Sequence, residues 1–156
     1  MNDTILASNT TLTDSALHWS SDIEGVDWEE LSTLYRAVLG NKSAEHLRTV
    51  FSSSLFRCFV RRQGRLIAAG RALADGRDVA YIADIAVERQ AQGTGIGRQI
   101  VQRLMQAASG HKKIILYAVP GKEGFYAKLG FKRMNTAMAV FQDEAVALRS
   151  GVLRPD

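Results

Sequence analysis

Residues 82–105 read IADIAVERQAQGTGIGRQIVQRLM, and residues 92–97 within them (QGTGIG) place three glycines at alternate positions. A glycine in a regular element costs about 0.5–1 kcal/mol relative to alanine. The run therefore indicates either a backbone that needs positive φ or a neighbour so close that no Cβ fits. An apolar strand-like segment precedes the run and an amphipathic helical pattern follows it. The stretch is thus predicted to be a strand, a glycine turn and a helix.

A glycine run at the start of a helix is chemically suited to hold an anion. The first turn leaves about four backbone N–H groups without partners, and the aligned peptide dipoles place partial positive charge there. Missing side chains would let a phosphate reach these amides. The spacing Gly-x-Gly-x-Gly differs from the dinucleotide pattern Gly-x-Gly-x-x-Gly, and no Gly-Lys-Ser/Thr ending follows. The sequence predicts a phosphate cradle of another class; a tight turn without a ligand is the alternative.

The segment before the glycine run predicts a strand, two helices and a meander. Residues 16–23 can form a first strand. Residues 26–40 carry apolar side chains on one helical face, with Asp27 as the predicted N-cap, and Ser43 can cap a second helix. Two Gly-containing turns, Gln63-Gly64 and Asp75-Gly76, then separate three apolar runs, which predicts consecutive antiparallel strands.

The segment after the run predicts a helix, a short strand, a short helix and a final hairpin; these lie at residues 96–108, 113–119, 123–130 and 131–142. The fold class is therefore α+β, a single domain with a mixed six- to seven-stranded sheet and helices on both faces. Its predicted order is β-α-α-β-β-β-α-β-α-β-β, with a parallel, right-handed step around residues 80–119. We expect a flexible N-terminal segment at 1–15, the domain at 16–143 and a C-terminal tail at 144–156.

Composition argues against several classes of protein. No run of 18 or more apolar residues occurs, so no transmembrane helix is expected, and the N-terminus lacks the pattern of a signal peptide. The single cysteine, Cys58, is predicted to be a buried small hydrophobe, which fits a reducing cytoplasm. His18, His46 and His111 lack metal-ligand spacing, so no metal is expected. A net charge of +4 without a basic stripe interleaved with aromatics argues against nucleic-acid binding.

Two motifs make the chain resemble the GCN5-related N-acetyltransferase (GNAT) family over roughly residues 20–142. The first is the stretch quoted above, and the second is GFYAKLGFKRM at residues 124–134. The family's Gln-x-x-Gly-x-Gly pattern can be placed in two registers, on Gln92, Gly95 and Gly97 or on Gln90, Gly93 and Gly95. We prefer the Gln92 register, because it sets the glutamine five residues after Val87, as the family's strand-to-loop spacing usually has it.

The resemblance implies acetyl-CoA as a cosubstrate and no metal. Its pyrophosphate would lie on the backbone amides of the glycine run, namely Gln92, Gly93, Thr94, Gly95, Ile96, Gly97 and Arg98. Its pantetheine would pair with the backbone of Ile85, Ala86 and Val87, where the fourth strand parts from the fifth, and an amide there would face the acetyl oxygen. Tyr126 matches the family position that protonates the departing thiolate, and a phenol is protonated near neutral pH.

The chain departs from the family's pattern at the positions of the general base. The positions where the family often has a glutamate base carry Tyr81, Ala83 and Tyr117. Regular alternation would turn Asp84 to the other face of the strand, so it is predicted to be a buried structural acceptor unless a bulge intervenes. The general base is therefore unassigned; a water relay or an acceptor that arrives as the neutral amine would replace it.

The function implied by the resemblance is transfer of an acetyl group to the primary amine of a small molecule, by direct attack in a ternary complex. Candidate acceptor contacts are Trp28, Tyr35, Tyr81 and Tyr117, and a core role is the alternative for the first two. A protein or peptide N-acetyltransferase and a non-catalytic coenzyme A sensing module also remain open. No nucleic acid or membrane partner is expected, and a homodimer through an exposed sheet edge is open.

Overall fold

The structure is a computed structural model that describes residues 16–156. The flexible segment expected at residues 1–15 lies outside the described residues. The chain forms two compact units, residues 16–115 and Leu116–Asp156. The elements of the first unit are β1 (Leu17–Ser20), α1 (Trp28–Val38), α2 (Ala44–Ser52), β2 (Phe56–Arg62), β3 (Arg65–Ala74), β4 (Val79–Val87), α3 (Ile96–Ala107) and β5 (Lys113–Ile115). The second unit carries α4 (Glu123–Ala127) and α5 (Glu144–Arg149).

The first unit is built on one mixed sheet with the strand order β1-β2-β3-β4-β5. The first four strands are antiparallel neighbours, and β4 pairs with β5 in parallel. This parallel step, crossed by α3, was predicted from the sequence and is confirmed. The α+β fold class is confirmed as well, with five strands in the described residues in place of six or seven.

Helices α1 and α2 start where the sequence predicted their caps. The Asp27 carboxylate accepts hydrogen bonds from the backbone N–H groups of Glu29 and Glu30 at 3.0 and 3.1 Å. The Ser43 hydroxyl accepts one from the His46 N–H at 3.1 Å. Such a cap is worth about 1 kcal/mol, because it satisfies a donor that the first helical turn leaves unpaired. The two helices are therefore fixed at their first residues by local chemistry.

The core lies on both faces of the sheet. On one face, Leu31 and Tyr35 of α1 and Phe51 of α2 are fully buried against the sheet, and the Phe51 ring stacks on Phe59 with centroids 5.2 Å apart. On the other face, Ile100 of α3 is fully buried. Burying a side chain of this size stabilises the fold by about 1.5–3 kcal/mol. Within the described residues, no helix is long and apolar enough to cross a membrane.

The hairpin predicted for residues 131–142 is wrong. These residues form no strand, and the side chains of Met138 and Val140 are 96% and 102% exposed. The apolar alternation that predicted the hairpin therefore buries nothing, and alternation gives a strand only where a neighbouring edge and a buried face are available. The strand predicted at 113–119 also ends early, at Ile115.

The segment expected to be a tail contains a short helix. Helix α5 (Glu144–Arg149) follows Asp143, whose carboxylate accepts a hydrogen bond from the Val146 N–H at 2.9 Å. Ala147 on this helix is buried. An Asp followed by a mixed apolar and charged run was the sequence signal for this helix, but only six residues carry it.

Candidate functional site

The glycine run forms the turn between β4 and α3, as predicted. Gly93 and Gly95 adopt positive φ, 78° and 89°. A Cβ built at either position would meet no heavy atom within 4 Å, so packing within the protein does not demand these glycines. Glycine is favoured at both positions because the backbone there is left-handed, a conformation that disfavours residues with a Cβ. The space in front of both residues is open.

The first turn of α3 leaves backbone donors available to a ligand. Gly95 is the N-cap, it offers no capping side chain, and the helix begins at Ile96. The first intrahelical bond runs from the Gln99 N–H to the Gly95 carbonyl at 3.0 Å. The N–H groups of Ile96, Gly97 and Arg98 therefore precede the helical ladder and carry the positive end of the helix dipole. This is the geometry of an anion site.

Side chains within the loop hold its shape. The Gln92 side-chain amide donates to the Val87 carbonyl at 2.9 Å, and the Thr94 hydroxyl donates to the Ala91 carbonyl at 2.5 Å. The loop therefore ties its own start to the end of β4 without any bound partner. Gln92, predicted as a cofactor contact through its backbone, also has this structural role through its side chain.

The edge of β4 next to the loop extends beyond β5. Strand β5 pairs only with Val79, Ala80 and Tyr81, the first three residues of β4. Residues 82–87, which include the predicted pantetheine contacts at 85–87, continue past the end of β5. Strands that part in this way leave backbone donors and acceptors on one edge for an added strand-like ligand.

Strand β4 is not regular, which corrects the alternation assumed from the sequence. In its pairing with β3, Ala69 lies opposite Ala86 and Arg71 opposite Ala83, so one β3 residue faces two β4 residues, Asp84 and Ile85. Asp84 has a φ of 56°, in the left-handed region. This is a β-bulge, and it re-aims the side chains around it.

The bulge has a clear effect on which face each side chain occupies. A Cβ added at Gly70 would lie 2.6 Å from Ile85 Cδ1 and 2.7 Å from Ile100 Cγ2, so the Ile85 side chain packs toward α3 over Gly70, where a Cβ would force these side chains to shift. Ala86 belongs to the core cluster formed with α1 and α2. The side chains of residues 85 and 86 thus lie on opposite faces of the sheet, as in any strand. Because of the bulge, however, residue 85 no longer lies on the same face as residue 83.

Asp84 is the centre of a partly buried ionic cluster. Its carboxylate accepts from Lys42 Nζ at 2.5 Å and from Arg71 Nε at 2.6 Å, and its carbonyl accepts from the Tyr35 hydroxyl at 2.5 Å. Burial alone would raise the pKa of Asp84, but the hydrogen bonds and charges of Lys42 and Arg71 outweigh it and hold that pKa below its usual range. Burial, followed by the Asp84 charge, raises the pKa of Tyr35 well above its usual value. The carboxylate is therefore ionised and the phenol is neutral.

Two further carboxylates, one in each unit, have fixed partners. Glu88 forms a two-pronged ion pair with Arg65, at 2.6 and 3.1 Å. In the second unit, Glu123 accepts from the Gly121 N–H at 2.7 Å, and backbone hydrogen bonds lower its pKa. Asp84 lies in the bulge, so the strand alternation that predicted its structural role does not hold; its ion pairs with Lys42 and Arg71 nevertheless make it a weak base. The general base stays unassigned.

The four predicted acceptor contacts occupy different environments. Trp28 packs against the core with its ring 6.4 Å from Phe51, and Tyr35 is fully buried. Tyr81 lies half-buried in β4, paired with Leu73 of β3. Tyr117 belongs to the second unit, is 58% exposed and contacts Phe141 edge-on. The structure thus brings Trp28 and Tyr35 together in the core of the first unit, and their acceptor role stays a prediction.

Tyr126 lies on α4 in the second unit. Its ring meets Phe125 and Phe131 edge-on, with centroids 4.9 and 6.0 Å away. Desolvation by burial raises the pKa of Tyr126 above its usual value, so its hydroxyl keeps its proton near neutral pH. A protonated phenol is what a general acid requires, and its catalytic role stays a prediction.

Cys58 is an inert thiol. It is 4% exposed, and burial raises its pKa to about 11. The prediction of a buried small hydrophobe is confirmed. Among residues 16–156, no group of three or more His, Cys, Asp or Glu side chains could hold a metal ion.

Comparison with known proteins identifies the family to which the chain belongs. A family model described as "Acetyltransferase (GNAT) domain" matches residues 54–133. The chain belongs to the GNAT family. The match begins just before β2 and ends just after α4, so it includes the bulged strand, the glycine loop and Tyr126.

The chain is similar to two curated relatives and to one solved structure, among others. It is 38% identical over 87 residues to rice glucosamine 6-phosphate N-acetyltransferase 1, covering 50% of this chain and 52% of the relative. It is 43% identical over 70 residues to rice chloroplastic serotonin N-acetyltransferase 2, covering 44% and 35%. The chain thus spans about half or less of the length of these relatives. A GNAT family acetyltransferase from Streptococcus pneumoniae has a TM-score of 0.69 at 20% identity over 82% of this chain and 100% of that one, which shows the fold.

Sequence reasoning missed two members of the ionic cluster, Lys42 and Arg71. Arg71 follows an apolar run in β3, RLIAAGRALA, whose other charged residue is Arg65 at its start, and Asp84 lies in the next strand. Opposite charges within neighbouring apolar strands are a signal for a cross-strand pair. Lys42 lies in the loop between α1 and α2 and gave no signal of this kind.

Proposed function

We propose that this protein is an acetyl-CoA-dependent N-acetyltransferase that acetylates the primary amine of a small molecule. The observation that carries the proposal is the glycine loop, in which Gly93 and Gly95 hold a left-handed turn in front of an uncapped first turn of α3, with open space before them. Membership of the GNAT family supports acetyl-CoA as the ligand. The relatives, acetyltransferases of glucosamine 6-phosphate and serotonin, support a small amine as the acceptor.

The residues of the loop fit the anionic part of acetyl-CoA. The amides of Gln92 to Arg98 would hold the pyrophosphate, because the first-turn donors lack intrahelical partners and no side chain of Gly93, Gly95 or Gly97 stands before them. The backbone of residues 85–87 would pair with the pantetheine arm. Acetyl-CoA supplies an acyl thioester, whose carbonyl carbon is open to attack by a neutral amine.

The chain's own groups would then perform two tasks. A backbone N–H within residues 85–87 would donate to the oxygen on which negative charge develops, which is usually the largest contribution to acyl transfer. Tyr126 would give its proton to the sulfur as the carbon–nitrogen bond forms and the carbon–sulfur bond breaks, since burial keeps that hydroxyl protonated. The proton that the attacking nitrogen loses would pass to water, because no side chain is assigned as the base. Cys58 would not carry the acetyl group, because it is buried and its raised pKa leaves little thiolate. Its reduced state suits the cytoplasm, where we propose the protein acts.

The experiment is a calorimetric titration of the purified chain with acetyl-CoA, followed by a panel of amines in which released thiol is read with a chromogenic disulfide. We expect binding, and thiol release with at least one class of small amine. Absence of binding up to millimolar acetyl-CoA would refute the loop assignment. Binding without release on any small amine, but with acetylation of a peptide library, would move the acceptor to proteins; binding without release on either would leave a coenzyme A sensing module.

A further inference from the structure

The Asp84 cluster, formed by Asp84, Lys42, Arg71 and Tyr35, performs neither of the two tasks assigned above to the chain's own groups. It lies directly before residues 85–87, whose amides that function would use. Its members come from separate parts of the first unit: Tyr35 from α1, Lys42 from the loop after it, Arg71 from β3 and Asp84 from β4. Four distant parts of the sequence thus converge on one residue of the bulge.

The cluster surrounds Asp84 in the left-handed backbone conformation, which Asp adopts more readily than most residues with a Cβ. A φ of 56° is uncommon for a residue with a Cβ, and such residues persist only where their surroundings determine them. Here the surroundings fix both ends of the residue. Lys42 and Arg71 hold the carboxylate, and the Tyr35 hydroxyl holds the carbonyl. The side chains of Asp84 and Arg71 are each only 12% exposed, so water competes little for these bonds.

The conformation of Asp84 decides where the next amides point. If β4 were regular, Ile85 would share a face with Ala83; with the bulge, Ile85 packs over Gly70 toward α3 instead. The direction of each backbone N–H alternates with the side chains of a strand. The extra residue of the bulge therefore turns each backbone N–H of residues 85–87 to the opposite edge of β4 from the one it would face in a regular strand.

We propose that the Asp84 cluster is a positioning device that locks the β4 bulge and thereby aims the amides of residues 85–87. Asp84 is a positioning residue in this proposal, since it acts through the backbone that follows it. The catalytic consequence rests on the proposed acetyl transfer. The effect on the amides themselves does not, so it can be tested on the protein without any ligand.

The test uses Tyr35→Phe and Asp84→Asn, with Ser54→Ala as the matched control. Tyr35→Phe removes one hydroxyl from the Asp84 carbonyl, and Asp84→Asn removes the charge that pairs with Lys42 and Arg71 while keeping the shape. Ser54→Ala also removes a buried hydroxyl, which donates to the Val50 carbonyl and accepts from Arg71 Nη1 at 3.2 Å, but leaves every contact of Asp84 in place.

The first measurement is amide hydrogen exchange and ¹H–¹⁵N chemical shifts in the free protein. We expect the ¹H–¹⁵N shifts of residues 85–87 to change in Tyr35→Phe and Asp84→Asn, and the amides of this segment that pair with β3 to exchange at least tenfold faster. Both should be unchanged in Ser54→Ala. Unchanged amides in a folded Tyr35→Phe would overturn the proposal. Equal acceleration in Ser54→Ala would overturn it too, since general loosening would then explain the effect. Should Asp84→Asn fail to fold, the milder Tyr35→Phe decides.

The second measurement is kinetic, on the amine substrate identified above. We expect kcat to fall about 10- to 100-fold in Tyr35→Phe while the Kd for coenzyme A, which is held at the glycine loop, stays within twofold of the wild type. A fall in binding equal to the fall in kcat would overturn a positioning role confined to residues 85–87. If the wild type transfers no acetyl group, the proposed function fails, and the exchange experiment still decides whether the cluster locks the bulge.

Discussion

Replacing Gly95 by alanine should separate the folding role of the glycine loop from its binding role. The φ of Gly95 is 89°, and a Cβ there would meet nothing within 4 Å. The substitution therefore creates no clash within the protein, and its cost to folding is that of a left-handed residue, about 1–2 kcal/mol. For a chain of this size, that corresponds to a fall in Tm of about 2–8 °C.

Gly64→Ala is the matched control for this strain. Gly64 lies in the turn between β2 and β3, has a φ of 74° and likewise faces open space. We expect Gly64→Ala and Gly95→Ala to lower Tm by similar amounts, measured by thermal unfolding in the absence of ligand. The two variants would then differ only in which turn carries the added methyl group.

Their affinities for acetyl-CoA should differ widely. In Gly95→Ala the new Cβ stands before the first turn of α3, where the pyrophosphate is proposed to lie. Losing one charge-assisted hydrogen bond there costs about 1.5–3 kcal/mol, which is roughly a 10- to 150-fold rise in Kd. Gly64→Ala should bind as the wild type does in isothermal titration calorimetry. Equal affinity in the two variants would refute the phosphate cradle, whatever the protein then proves to catalyse.

Three further outcomes follow from single residues. Tyr126→Phe should lower kcat by about 100-fold or more with little change in the KM for acetyl-CoA, because only the proton donor is lost; an unchanged kcat across the pH range would remove Tyr126 from the mechanism. Cys58 has a folded pKa of about 11, above the unfolded value of about 8.5, so its contribution to stability is complete below about pH 8.5 and is lost as pH rises toward the folded value. Urea denaturation should therefore show a steeper loss of stability between pH 8 and 10 in the wild type than in Cys58→Ala, and parallel losses would contradict the raised pKa. Gly97→Ala should weaken acetyl-CoA binding, because the added Cβ would enter the first turn of α3; unchanged binding would show that no ligand approaches the second residue of α3.

The sequence predicted best what short stretches of chain decide by themselves. The caps of α1 and α2 at Asp27 and Ser43, and the strand–turn–helix at residues 82–105, depend on residues within a few positions of one another. A glycine turn after an apolar run has few other solutions. These elements also place most of the candidate site, because the loop and the start of α3 lie within one continuous segment.

The features that the sequence missed depend on pairing between distant segments. The bulge at Asp84 lies opposite Gly70, and the contacts of Asp84 come from Arg71 on another strand and from Tyr35 and Lys42, so no window around Asp84 contains these residues. The hairpin expected at 131–142 failed for the converse reason. Its alternation is a local signal, but a strand also needs an edge to pair with, and alternation does not supply one.

The three glycines of QGTGIG do not have the same explanation. Gly93 and Gly95 have positive φ, so the geometry of the turn is by itself a sufficient reason for both glycines. Gly97 is the second residue of α3 and is absent from the positive-φ glycines. Helical backbone makes glycine a poor choice at that position. Close approach of a ligand to the first-turn amides would make it a good one. Backbone geometry therefore explains Gly93 and Gly95. The other reason for a glycine, a neighbour too close for a Cβ, is tested by replacing Gly97.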